Sequence, residues 1–304
     1  MRRTTRLLVS AAAALFIAAL AQVGLKSART SPSAPSPVAA TPAVSPSDAS
    51  SRPVVAAPAK PPPLSSSDRL AELDRSAAAG DVDAAAEFGG LLGVCGHYSP
   101  VSAANIEESV VTGMAAGLEP PQIAGTPAPP ELVILLMQQA QPELDQRCAG
   151  IDVKQLWEGQ ARAPALLERA ADAGRIQAML DYSRHAFAGY GGVNDMLSQM
   201  DEIARRKQKA RAYLRRAASL GEARALLLLG DAYASGPLEK IDPQQAYAYM
   251  SAFFRSAAAQ DWPPRLRELY LQTLAQHLDA AQLAQARAQG LQLYRDFEAG
   301  APLR

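Results

Sequence analysis

Apolar and small residues recur in one short pattern at three places in this chain, centred on Gly80, Gly174 and Gly221. In each copy a leucine stands seven residues before the glycine and an alanine three before it. A second alanine follows four residues after the glycine, and a large apolar or aromatic residue follows eight after it. Steps of three and four residues place these positions on one helix face. The pattern predicts helix pairs that turn at the glycine and pack closely through the second alanines, which are Ala84, Ala178 and Ala225.

The spacing of the copies predicts a stack of such pairs. Gly221 follows Gly174 by 47 residues, and Gly174 follows Gly80 by 94, which is twice that step. A degenerate fourth copy begins at Phe253, keeps its first helix and loses the glycine. An apolar-periodic stretch at about 280–297 then reads as a capping helix that ends at Gly300. Repeated units of this kind bury their apolar faces by stacking. We therefore predict an all-α solenoid over residues 67–300, with degenerate repeats at about 70–95 and 253–297.

The copies resemble the Sel-one-like repeat family, which belongs to the tetratricopeptide-repeat superfamily. The segments that carry the resemblance are RAADAGRIQAMLDYSRHAFAG at 169–189 and RAASLGEARALLLLGDAYASG at 216–236, followed by IDPQQAYAYM. The clear match covers residues 164–259, and a weaker one covers 70–95. The resemblance implies a right-handed α-solenoid that binds other proteins and has no catalysis of its own. Residues 96–163 depart from the family pattern, and we expect two helices there, separated by a glycine- and proline-containing loop.

The first 26 residues predict export. Arg2, Arg3 and Arg6 precede nineteen residues without charge at 7–25, which are rich in alanine and leucine. This stretch can be a cleaved signal peptide, with Ala19–Ala21 as the cleavage site, or a single transmembrane anchor. The positive charges before it place the N-terminus in the cytoplasm in either case. We favour the anchor because residues 27–66, rich in proline, serine and alanine, predict a disordered stalk. The remainder of the chain is then periplasmic.

The two cysteines, Cys95 and Cys148, fit an exported protein. An even pair in an oxidising compartment is most simply a disulfide, although two buried thiols are the alternative. Neither cysteine belongs to a Cys-x-x-Cys motif or to a cysteine–histidine cluster. We therefore predict a structural disulfide and no bound metal.

One basic run lies near the third copy, with Arg205, Arg206 and Lys209 among its members. Three interpretations stay open: a solvated helix face that overhangs its neighbour, a surface for an acidic partner, or a nucleic-acid site. A Glu202–Arg206 pair one helical turn apart fits the first. Export argues against nucleic acid, and thirty acidic residues balance thirty basic ones, so no global field selects a polyanion.

The sequence holds no catalytic signature. Its three histidines lack metal-binding partners, and it has no nucleophile elbow, phosphate-binding loop or dinucleotide motif. We expect no cofactor. The leading hypothesis is a non-enzymatic adaptor of the bacterial cell envelope that binds an unidentified protein or peptide in its groove. The alternatives are a cell-wall-associated ligand-binding module and an enzyme whose carboxylates come from separate repeats.

Overall fold

A computed structural model describes residues 66–303, apart from 97, 99, 153–155, 191–192 and 237. The predicted signal or anchor at 7–25 and the predicted stalk at 27–66 fall outside these residues, except for Ser66. The described part is all-α, as predicted, with one pair of very short strands.

Twelve α-helices are seen in the described residues. They are α1 (Ser66–Ala78), α2 (Val82–Cys95), α3 (Ala103–Ala115), α4 (Pro130–Cys148), α5 (Ala163–Asp172), α6 (Ile176–His185), α7 (Val193–Ser198), α8 (Met200–Ser219), α9 (Arg224–Ser235), α10 (Pro243–Phe253), α11 (Pro264–Ala275) and α12 (Ala280–Glu298). Strands β1 (Gln122–Ile123) and β2 (Thr126–Pro127) pair antiparallel between α3 and α4. Short 3-10 turns at Gln160–Arg162 and Ala257–Ala259 precede α5 and α11.

The repeat glycines lie at the turns of three helix hairpins: α1–α2, α5–α6 and α8–α9. Gly80, Gly174 and Gly221 have φ values of +100°, +91° and +84°. This left-handed conformation costs other residues energy but is open to glycine. Each first helix therefore ends two residues before its glycine, and the chain reverses into the second helix.

The helices pack in chain order, which gives the described part a continuous core. Within each hairpin the two helices pack together, and each second helix also packs on the first helix of the next hairpin: α2 on α5, α6 on α8 and α9 on α10. Ala84, Ala178 and Ala225 are buried, with 6%, 1% and 0% of their surface exposed. Small side chains at these positions let the helix backbones approach.

Ala225→Leu tests this packing. Because Ala225 is fully buried on α9, we expect the added carbons to overpack the hairpin and lower the free energy of unfolding by about 1–3 kcal/mol. Ala212→Leu on the exposed side of α8 is the matched control and should change stability by less than about 0.5 kcal/mol. Urea denaturation of both variants measures the difference. Equal tolerance at the two positions would contradict the repeat register.

The fourth copy differs from the prediction. Its first helix was expected to continue through Arg255 and Ala257, but α10 ends at Phe253. Ser256 adopts an extended backbone conformation, and its hydroxyl donates to the Phe253 carbonyl at 2.7 Å. Trp262 packs edge-on against Phe253, with ring centroids 5.3 Å apart. These interactions replace the last helical turn. The predicted capping helix is present as α12, and Gly300 follows it with φ +64°.

Residues 103–148, which depart from the repeat pattern, form an arm made of α3, the β1–β2 hairpin and α4. Helices α3 and α4 pack against each other, and the hairpin joins them. Apolar side chains of the arm share a second hydrophobic cluster with α9–α12. The fully buried members from the arm are Ile106, Val110 and Leu132. The arm therefore starts from the first hairpin and packs on the last helices.

Candidate functional site

The second helices of the three hairpins present one stripe of equivalent positions, which lie three, seven and ten residues after each repeat glycine. Steps of four and three residues keep such positions on one helix face. These residues are Asp83, Glu87 and Gly90 on α2; Gln177, Asp181 and Arg184 on α6; and Arg224, Leu228 and Asp231 on α9. We call this stripe the second-helix face. It combines charges of both signs.

A disulfide fixes the base of the arm beside this face. Cys95 at the end of α2 is bonded to Cys148 at the end of α4, with an S–S distance of 2.02 Å and Cα atoms 5.5 Å apart. Both side chains are buried. The bond joins residues 53 positions apart and turns the arm into a covalently closed loop that begins and ends at one point of the fold.

The tip of the arm reaches helices far along the chain. The Ala124 amide donates to the Ala234 carbonyl at the end of α9, at 2.8 Å. The Thr126 hydroxyl lies 3.2 Å from Nε2 of His277, which follows α11. The arm thus runs from the first hairpin to the end of the third and beyond it.

Helix α4 is held by one ion pair at each end. Near its C-terminus, Arg147 makes a bidentate pair with Asp181, whose side chain is 0% exposed. At its N-terminus, Glu131 accepts two hydrogen bonds from Arg265 at 2.8 and 2.9 Å, and both side chains are 52% exposed. The first pair is nearly out of water, so its geometry matters more for stability.

Gly90 makes room for the first of these pairs. A Cβ at this position would lie 2.2 Å from Nη2 of Arg147 and 2.9 Å from Oδ2 of Asp181. Any side chain here would push the ion pair apart. The first hairpin therefore has glycine where the other two have Arg184 and Asp231.

Farther along the face, Asp231 is in an unusual environment. Its side chain is exposed to solvent, and within the described residues it makes no hydrogen bond or ion pair. Protein nevertheless surrounds it so densely that desolvation raises its pKa above the ordinary value of 3.8, and nearby Arg184 offsets this in part. The pKa of Tyr270 on α11 is also raised, first by burial and then by the Asp231 charge.

Asp231→Asn is expected to stabilise the protein at neutral pH. A carboxyl whose pKa is raised by folding favours the protonated form, so the wild type loses stability as the pH rises from below the unfolded value of about 3.9 through the folded one. The amide does not titrate, so the gain in melting temperature should be absent near pH 3 and present at pH 7. We expect a small gain because solvent reaches the group. Thermal melts across this range measure it, and a lower melting temperature for the variant at pH 7 would contradict the interpretation.

The basic run lies elsewhere, on α8 where it faces α5, and pairs with acidic residues of this chain. Arg205 and Lys209 both bind Glu168, each at 2.7 Å. Arg206 is 20% exposed, pairs with Glu202 at 2.7 Å and donates to the Ala186 carbonyl at 2.9 Å. The predicted Glu202–Arg206 pair is present. The predicted solvated overhang is wrong, because neighbouring elements bind these side chains.

This cluster is an ion-pair network that we call saturated, because Arg205, Arg206 and Lys209 are each paired with a carboxylate of this chain. Burial alone would raise the pKa of Glu168, but hydrogen bonds from Arg205 and Lys209 outweigh it and lower the pKa. Hydrogen bonds from Arg205 and Arg206 lower the pKa of Glu202 to about 2. An open depression of about 440 Å³ beside Glu168 is lined by Ala165 and otherwise by charged residues. These carboxylates stay ionised at neutral pH, which does not suit a general acid.

Sequence reasoning missed the second-helix face. The signal was present in the repeat register, because Arg184 and Asp231 are both ten residues after a repeat glycine. Opposite charges at equivalent exposed positions of neighbouring units are not required by the packing pattern. The Arg147–Asp181 pair had no local signal, because its partners are 34 residues apart and belong to different units.

Searches for similar proteins identify no family for this chain. No protein-family model matches it, and no curated protein matches it closely. Over the part of the chain that the structure describes, no group of three histidine, cysteine, aspartate or glutamate side chains is placed to hold a metal ion. In the same residues no helix is both long enough and apolar enough to cross a bilayer.

Proposed function

We propose that this protein is an adaptor of the bacterial cell envelope, an exported α-solenoid that binds another protein. The support is the recurrence of helix hairpins that pack in chain order, together with the Sel-one-like pattern of their sequences. Stacked hairpins expose long surfaces that need no cofactor to bind a protein. The saturated state of the Glu168 cluster gives the enzyme alternative no support.

The second-helix face is a poor place for a protein partner. The arm already packs on the helices there, and it buries Ile106, Val110, Leu132 and Val133. Burial of each such side chain contributes about 1.5–3 kcal/mol relative to leaving it exposed to water. A partner that lifted the arm would have to replace most of that energy. We therefore do not place the partner in the groove that was expected from the sequence. We propose that it binds a different surface.

The observation that carries the proposal is a set of exposed apolar side chains along one edge. Large apolar side chains that are more than a third exposed in the described residues include Trp157 (57%), Leu197 (53%), Met200 (59%) and Ile241 (42%). All four lie in the segments that lead from a second helix into the next first helix, or at the first residue of that helix. In antiparallel hairpins these segments share one edge, which we call the connector edge. Exposed apolar and aromatic groups of this kind favour protein contact.

Crosslinking in cells tests this proposal. The full chain, tagged after Arg304, is crosslinked in envelope fractions and compared with a variant that carries serine at Leu197, Met200 and Ile241. We expect a specific partner to be captured by the wild type and lost by the variant. Serine at Leu220 and Leu291, which are exposed outside the connector edge, is the matched control and should retain it. Equal capture by wild type and connector-edge variant would contradict the proposed surface, and no specific capture by any form would contradict the adaptor.

Export is proposed from residues 1–26 and has its own test. A reporter that is active only in the periplasm, fused after Arg304, should be active, and a reporter that is active only in the cytoplasm should be silent. Sequencing of the mature N-terminus separates the two forms of export, since a chain that begins at Gln22 has lost its signal. An intact N-terminus in the membrane fraction would support the anchor. The reverse reporter pattern would contradict export.

A further inference from the structure

Helix α12 and the chain that follows it border a half-open depression at the C-terminal end of the described part. Its volume is about 460 Å³, and sites for small molecules commonly measure about 300–1,000 Å³. The depression is lined by Gln289, Gln292, Leu293 and Asp296 of α12 and by Ala301 and Pro302 beyond it. The four residues of α12 follow one another in steps of three, one and three, so they share one helix face.

The fold holds the wall of this depression in place. Gly300 has φ +64°, and the Ala301 amide donates to the backbone carbonyl of Asp296 at 2.8 Å. The chain therefore reverses at the end of α12 and returns along it. Leu303 is 5% exposed and belongs to the main hydrophobic cluster, which anchors the returning segment. A ligand would meet walls that are already formed, so little ordering would oppose its binding.

The polar groups of the depression mainly offer hydrogen-bond acceptors. The Gln292 amide nitrogen donates to Oδ1 of Asp296 at 2.7 Å, and the Gln289 amide nitrogen donates to Oε1 of Gln245 on α10 at 2.8 Å. Both amide nitrogens are thus engaged within the protein. Within the described residues, Oε1 of Gln289, Oε1 of Gln292 and Oδ2 of Asp296 accept no hydrogen bond. These oxygens suit a ligand that donates hydrogen bonds.

The Asp296 carboxylate gives the depression a negative charge in an unfavourable place on α12. It lies in the last turn, where the helix dipole is negative and repels an anion. Among the described residues it accepts the Gln292 hydrogen bond and forms no ion pair. Neighbouring Arg295 is rotated by about 100° around the helix and does not line the depression. A bound cation would compensate the carboxylate and the dipole together.

The remaining lining residues, Leu293, Ala301 and Pro302, are apolar. Long cationic side chains lay their methylene groups along apolar surface and keep the charged head at a polar partner. A cation with an aliphatic stem therefore matches both parts of the depression. Contacts of guanidinium or ammonium groups with a carboxylate are charge-assisted hydrogen bonds, which are the strong ones.

We propose that this depression binds an organic cation that carries a guanidinium or ammonium group on an aliphatic stem. The head contacts Asp296 and the two glutamine carbonyls, and the stem lies against Leu293 and Pro302. A Cβ at Gly300 would lie 4.0 Å from the carbonyl of Ser219, which ends α8. The site is therefore beside the turn of the third hairpin, at the opposite end of α8 from the connector edge. Its occupancy does not depend on the proposed adaptor function.

Calorimetric titration of the full chain with defined probes tests the proposal. The cationic probes are the Nα-acetyl methylamides of arginine and lysine, and their neutral counterparts are the same derivatives of citrulline and Nε-acetyl-lysine. We expect saturable binding of at least one cation and at least about tenfold weaker binding of its neutral counterpart, which has no charge to pair with Asp296. No saturable binding of any cation, or equal binding of the neutral counterpart, would overturn the proposal.

Two free amines distinguish the sources of such a cation. Agmatine and cadaverine carry the same heads and stems without peptide groups. If they bind as tightly as the capped amino acids, the site takes a free amine. If the capped amino acids bind at least about tenfold tighter, it takes a basic side chain of a peptide. Both results support the cation site.

One variant assigns the binding to the carboxylate. Asp296→Asn removes the charge, keeps an oxygen that accepts from Gln292 and should weaken binding by at least about tenfold. Its melting temperature should be no lower than that of the wild type, because an acidic group leaves the C-terminal turn of a helix. Glu298→Gln, which neutralises an exposed residue of the same turn that does not line the depression, is the matched control and should bind as the wild type does. Unchanged binding in Asp296→Asn, or an equal loss in both variants, would overturn the proposal.

Discussion

Replacing Arg147 with alanine is expected to lower the free energy of unfolding by about 3–5 kcal/mol. The guanidinium is the ion-pair partner of Asp181, which is 0% exposed. Removal of the arginine leaves a buried carboxylate that keeps, among the described residues, the hydrogen bond from the Gln177 amide at 3.0 Å and the weaker attraction of nearby Arg224. Urea denaturation at neutral pH measures the loss.

The other end of α4 provides the matched control. Arg265→Ala removes the pair with Glu131, but both of those side chains are 52% exposed. An exposed pair contributes about 0–1 kcal/mol, so this variant should be nearly as stable as the wild type. A double variant, Arg147→Met with Asp181→Leu, should recover most of the loss because no charge is then left buried. If Arg147→Ala costs no more than Arg265→Ala, the buried pair is not what holds the arm.

Removal of the disulfide is expected to have a similarly large effect. With Cys95→Ala and Cys148→Ala combined, the covalent loop of 53 residues is opened, and the unfolded chain gains entropy worth about 4 kcal/mol by the loop-closure relation. Both cysteines are buried, so alanine also leaves a small cavity. Chemical denaturation of the variant, compared with the wild type before and after reduction, measures the effect.

The reduced wild type is the control for this experiment, since it keeps the side chains and loses only the bond. It should approach the stability of the double variant. Full labelling of both thiols in native, oxidised protein would contradict the disulfide. A variant as stable as the oxidised wild type would show that the arm stays in place without a covalent base.

The hairpins could be predicted from the sequence because their determinants are local. A glycine that adopts positive φ, with alanines three residues before and four after it, specifies a turn and a close helix contact within one window. Export of the chain remains a prediction from the charge and apolar pattern of residues 1–26. The predicted end of α10 was wrong by about one helical turn. Ser256 and Trp262 contact Phe253 where that turn was expected, and the repeat pattern does not contain these contacts.

The arm and the basic run could not be placed from the sequence, because their partners are distant. Lys209 pairs with Glu168 and Asp172, which lie 41 and 37 residues away. A window of one helix shows only a row of positive charges, and the neutralising carboxylates belong to the previous hairpin. In the same way, nothing near Gly90 reveals that Arg147 must pass there.

The closed arm has a consequence for how the protein unfolds. A chain of units that touch only their neighbours can lose its terminal units one at a time, since no contact links its two ends. Here the loop that starts at Cys95 packs on α11, so separation of the last helices exposes side chains of a segment fixed to the first hairpin. Loss of either end therefore weakens the other. We expect amide hydrogens in α2 and α11 to exchange through the same opening event, at nearly the same free energy, as in a single cooperative unit.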